Sequence, residues 1–152
     1  MKHAPMVLLA LSVAGGVAEA GEKPVVKRTN PATLSKPSGY THVVTVSGGR
    51  TVYVAGQVAL DQAGNLVGQG DLKAQARQVF ENLKTALASS EATFDDVVKI
   101  TVFMTDVSDL QAFRETRNSY FTKEPPASTL VQVVRLARPE FLIEIEAVAV
   151  VE

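Results

Sequence analysis

The chain of 152 residues contains no cysteine. That absence excludes disulfides, thiolate catalysis and Cys-ligated metal together. Histidine is almost as scarce. Of the two present, only His42 lies outside the N-terminal leader, so a His-rich metal site or a Ser-His-Asp triad would hang on that single residue. There is also no excess of positive charge. The formal net charge is −1 and the pI about 6.1, and no basic cluster interleaved with aromatics occurs, so nothing draws the chain to nucleic acid or an anionic membrane. No apolar run is long enough to span a bilayer. Internal repeats and low-complexity segments are missing as well.

What is present reads as one domain with a real core, 46% hydrophobic and 20% charged. Lys2 followed by the apolar stretch from Met6 to Val17 and the small-x-small pattern Ala18-Glu19-Ala20 has the form of a signal peptide. Residues 1–20 are therefore expected to be removed, leaving 21–152 as the domain, periplasmic or secreted.

A short strand is expected at Val25 to Lys27, then a loop punctuated by Pro31, Pro37 and Gly39 and ending in Tyr40-Thr41-His42. Two β-type runs, Val43 to Val46 and Thr51 to Val58, flank Ser47-Gly48-Gly49-Arg50, whose glycines suit a tight hairpin turn. Gly56 sits inside the second run, where a glycine marks a bulge or the close approach of another group. Gly68-Gln69-Gly70 leads into a helix, but a phosphate cradle is a poor reading, because Asp71 would set a negative charge where the anion belongs. Asp71 instead caps an amphipathic helix carrying Leu72, Ala76, Val79, Phe80, Leu83 and Leu87 at helical spacing. A strand follows from Val97 to Thr105. Ser108 with Gln111 three residues on then forms a capping box for a second helix bearing Leu110, Phe113 and Tyr120. On that helix, Arg114 and Arg117 lie one turn apart, in the manner of a solvated face.

The C-terminal part holds two more β-rich segments, Pro125 to Val134 and Phe141 to Val150, joined by the link Arg135 to Glu140. In the second, Ile143, Ile145, Ala147 and Ala149 share one face, and Glu144 and Glu146 project from the other, roughly 6–7 Å apart along the strand. Two acids on a core strand are costly if their face is dry and unpaired, so that face is either wet or a binding surface. The order β, ββ, α, β, α, ββ supplies two helices, enough to cover one face of one sheet. Several strands nevertheless carry apolar residues on both faces, which argues for a second subunit as cover and for pockets at subunit seams.

Tyr40-Thr41-His42, Val54-Ala55-Gly56-Gln57-Val58, the Gln75 to Leu83 helix, Asp96 to Phe103, Pro125-Pro126-Ala127-Ser128 and Ile143-Glu144-Ile145-Glu146-Ala147 occur in one order over roughly residues 24 to 150. In these pieces the chain resembles the RidA family, also called YjgF or L-PSP. The resemblance implies a single α+β domain of chorismate-mutase-like fold, with two helices on one face of a mixed sheet. It also implies a homotrimer, a small-metabolite cleft between subunits, and no cofactor or metal. In the family's active branch the activity is hydrolysis of 2-imino and 2-enamino acids to keto acids and ammonia. An arginine after the Pro-Ala pair clamps the substrate carboxylate there. The residue matching Glu144 positions the attacking water, and those matching Gly56 and Tyr40 line the cleft.

This chain departs from that pattern at one place, where Ser128 stands in the position of the arginine. Loss of a charge-assisted contact costs on the order of 1.5–3 kcal/mol, roughly ten- to a hundredfold in affinity. Two readings follow. In the first, the protein binds a small carboxylate or imine metabolite through Tyr40, Gly56, Ser128 and Thr129, with deamination weak or absent. In the second, it is a working deaminase that uses Glu144 and a substitute cation, Arg117 or Arg135. A ribonuclease, a label also attached to the family, would need a basic, aromatic-bearing surface that the sequence does not offer.

Overall fold

The computed structural model describes residues 22–152; the leader, with its expected cleavage site, lies outside the described residues. Six strands and two α-helices follow the expected order: β1 Val25–Thr29, β2 Val43–Ser47, β3 Arg50–Gln57, α1 Leu72–Ala88, β4 Val97–Met104, α2 Leu110–Tyr120, β5 Ala127–Gln132 and β6 Ile143–Val151. Among the described residues no helix is long and apolar enough to cross a membrane.

The main sheet is mixed and runs β3-β6-β4-β5, with β4–β5 parallel and the other two pairs antiparallel. Alternation along β6 sets its two faces. Ile143, Ile145, Ala147 and Ala149 are buried, while Glu144 is half-buried and Glu146 exposed on the opposite side. The buried side meets α1 through Ala76, Val79, Phe80, Leu83 and Leu87, the stripe that the helical spacing predicts. Asp71 caps α1 by accepting the Ala74 N–H at 3.0 Å. Between the helices, Phe80 stacks on Tyr120 with centroids 4.7 Å apart and on Phe113 at 6.4 Å. The other face of the sheet is open in this chain, and Tyr53 on β3 is 81% exposed there.

Three expectations change. First, Gly48 and Gly49 take the positive φ values of a tight turn, +70° and +76°, yet they do not close a β2–β3 hairpin. Instead β2 pairs with β1 and β3 with β6, so the two glycines turn a corner from one sheet into another. Gly49 stands there because a Cβ would come within 2.7 Å of the Val151 carbonyl oxygen and 2.9 Å of Pro24 Cβ. Second, α2 is capped by Asp109, which accepts the Ala112 N–H at 3.3 Å, while the Ser108 hydroxyl is spent on Asp106 at 2.7 Å. Two adjacent polar residues compete for the cap, and the carboxylate takes it. Third, β5 ends at Gln132 and not at Val134. Its parallel partner β4 stops at Met104, whose carbonyl accepts the Val133 N–H at 2.8 Å as the last bond of the ladder, and Val134 is fully exposed.

Candidate functional site

The site is built from the loop before β2, from α2 and from β5. Thr41 fixes the loop against the start of β5. Its N–H donates to the Pro126 carbonyl at 2.9 Å, its hydroxyl to the Pro125 carbonyl at 2.5 Å, and it bridges to Ala127. Thr41 is 3% exposed, so both bonds are shielded from water and hold firmly. The next residue back, Tyr40, is thereby delivered to Ser128. Its ring is braced edge-on against His42 at 5.2 Å, and His42 in turn contacts the Ser35 carbonyl through Nε2 at 2.8 Å.

Strand register decides which way Ser128 faces. It lies beside Ile100, which is 1% exposed and belongs to the helix-side core, so the Ser128 side chain is on that side too. There a cleft of about 190 Å³ is lined by Ser38, Tyr40, Phe113, Arg114, Arg117 and Ser128, among others. Arg117 is only 6% exposed, which corrects its reading as part of a solvated face. Nε and Nη2 donate to the Asn118 side-chain oxygen at 3.1 and 2.9 Å, and the guanidinium lies 5.7 Å from the Phe113 ring centroid. Gly39, at φ +74°, passes so close that a Cβ would overlap Nη2. Burial, with the neighbouring charge of Arg114 as the second cause, pulls the Arg117 pKa below the ordinary guanidinium value.

Glu144 lies elsewhere. It is opposite Phe103 in the β4–β6 register, on the face away from the helices. It lines a separate cleft of about 360 Å³ with Phe103, Val133 and Arg135. Its carboxylate rests on Gly56, where any Cβ would collide with it. Gly56 falls in the irregular register of β3 between Val54 and Gln57, the bulge that a strand glycine predicts. Thr129 also points to this open face, where its Oγ1 accepts from Lys99 Nζ at 2.9 Å. Burial, partly offset by Glu146, lowers the pKa of Lys99.

Within one chain, then, Tyr40, Ser128 and Arg117 come together, and Gly56, Glu144 and Arg135 form a second group across the sheet. Thr129 belongs to neither cleft. Sequence reasoning missed Ser38 and Arg114 as lining residues. The available signal for Arg114 was its place one turn from Arg117, which the spacing Leu110-Phe113-Arg117 puts on the apolar stripe of α2.

Comparison with known proteins agrees with this architecture. The family model described as Endoribonuclease L-PSP matches residues 31–151. Protein DfrA of Myxococcus xanthus is 43% identical over 111 residues, covering 73% of this chain and 84% of that protein. The mouse 2-iminobutanoate/2-iminopropanoate deaminase is 36% identical over 111 residues, 73% of this chain and 80% of the mouse protein. Among solved structures, the Rid-family protein YyfB of Yersinia pestis superposes with a TM-score of 0.77 at 39% identity, covering 83% of this chain and 98% of the other. Escherichia coli TdcF, solved with bound serine, gives a TM-score of 0.62 at 32% identity, over 67% and 81% of the two chains. With the sheet order, the helix stripe and the family motifs all in agreement, this chain belongs to the RidA (YjgF, L-PSP) family.

Proposed function

We propose that this protein binds a small carboxylate-bearing metabolite of the 2-imino or 2-oxo acid kind in the Tyr40–Ser128–Arg117 cleft, at the seam between subunits of a homotrimer. Deamination by it is weak or absent. The observation that carries this reading is the composition of the two clefts. The Ser128 cleft has hydroxyls and guanidinium groups to hold an anion but no carboxylate to orient a water, and Glu144 is on the other face of the sheet. A group that holds the carboxylate and a group that activates water must converge on one substrate for hydrolysis to be fast. The bound serine of the TdcF structure is a ligand of the right size and charge type. The reading includes export: residues 1–20 act as a signal peptide cleaved near Ala20, and the protein works in the periplasm or outside the cell.

One observation favours a second reading, an active imine deaminase. Arg117 and Arg114 beside Ser128 supply the cation that β5 lacks, and a neighbouring subunit would then have to contribute Glu144.

Ammonia and keto-acid release from freshly generated 2-iminopropanoate and 2-iminobutanoate separates the two. The parent is expected to run near the uncatalysed rate; Ser128→Arg should tighten 2-oxo acid binding by about tenfold or more through the added contact, with turnover still slow. Turnover by the parent that Glu144→Ala abolishes would instead establish the deaminase and overturn the binding reading.

A further inference from the structure

Arg114 and Arg117 stand three residues apart on α2, so they are neighbours on the helix surface, and both line the cleft that holds Ser128. Among the described residues neither forms an ion pair. Arg117 spends Nε and Nη2 on a neutral acceptor, the Asn118 side chain. A guanidinium has five N–H donors in a planar fork. Among the described residues Nη1 has no protein partner, yet it is not among the sealed, unsatisfied polar atoms, so water or a ligand can reach it. Arg114 is exposed and stands as the outer member of the pair. Two cations held side by side without a counter-charge repel each other. One carboxylate would neutralise one of them, and two carboxylates on one small molecule would neutralise both. The volume, about 190 Å³, suits a small molecule.

We infer that Arg114 and Arg117 form a two-guanidinium clamp for a small dianion, a dicarboxylate of the imino or keto type derived from an acidic amino acid. The inference rests on the reading of this cleft as the metabolite site and adds the substrate class. Ser38, Tyr40 and Ser128 are left to hydrogen-bond the uncharged part of the ligand.

Titration calorimetry on the full chain at fixed ionic strength tests it, with 2-oxoglutarate as the dicarboxylate probe and 2-oxobutanoate as the monocarboxylate. The expected result is affinity for 2-oxoglutarate at least about tenfold the higher of the two, the scale of one added charge-assisted contact. Arg114→Gln should weaken 2-oxoglutarate far more than 2-oxobutanoate and so remove most of that preference. Because Arg114 is exposed, an unaltered melting temperature is expected for this variant and shows that folding is not what changed. Arg117→Lys is the second variant; it keeps the charge but loses the fork, and should weaken both probes. Equal affinity for the two probes, or a dicarboxylate preference that survives Arg114→Gln, overturns the clamp while leaving the metabolite site standing. Binding of neither probe overturns both.

Discussion

At the scale of single residues, Gly56 shows how a small side chain places a large one. The Glu144 carboxylate occupies the space a Cβ at position 56 would need, so the glycine's first service is to make room for that acid. Gly56→Ala is therefore expected to swing Glu144 away from the strand. Its φ is outside the left-handed region, so no backbone strain is added, and the fold should tolerate the change with a loss of about 1 kcal/mol. A crystal structure of the variant checks this. Glu144 in its original rotamer beside an alanine would show that the sheet gives way instead. Gly39 is the opposite case, where the left-handed conformation and the close approach to Arg117 both demand glycine.

At the scale of elements, one buried side chain ties α1 to the two loops around it. Gln75 is fully buried. Its Nε2 donates to the carbonyls of Gly68 at 3.1 Å and Glu140 at 2.9 Å, and its Oε1 accepts the Leu142 N–H at 2.9 Å. Gln75→Leu keeps the volume but leaves the Glu140 carbonyl and the Leu142 N–H without partners, while the Gly68 carbonyl keeps the Asp71 N–H at 3.0 Å, at about 1–3 kcal/mol for each that water cannot reach. A total loss of about 3 kcal/mol is expected in urea unfolding, with an unchanged m-value. A loss under about 1 kcal/mol would mean that the loops after β3 and before β6 find other partners. Gln75 was legible only as a member of the helix. Its spacing puts it next to Ala76 on the buried arc, but the carbonyls it serves lie 7 and 65 residues away in sequence.

At the scale of the whole molecule, the sheet has one face covered by helices and one face open. The open face carries Tyr53 at 81% and Val131 at 40% exposure beside the Lys99–Thr129 contact. Apolar area of this kind is stabilising once removed from water, at about 25 cal/mol per Å², and a further copy of the chain would remove it. Light scattering and intact mass on protein recovered from the exported fraction are expected to give three copies of a chain starting at residue 21. Tyr53→Glu should shift the assembly toward monomers. A monomer in the parent protein, or a chain still beginning at Met1, would remove the homotrimer or the cleaved leader from the proposal.

The sequence alone determined the elements and the family. The 3.6-residue stripe of α1, the two-residue alternation of β6 and the Asp71 cap are local patterns that the packed structure keeps, whereas the Ser108 cap gave way to Asp109. Only the tertiary structure decided which strands pair, because Gly48-Gly49 specifies a turn and says nothing about the partner beyond it. Only the tertiary structure placed Ser128 with Arg117 and Glu144 across the sheet. The reason is register: neighbours one residue apart face opposite sides, and the side that the helices cover is settled by packing between segments distant in the chain.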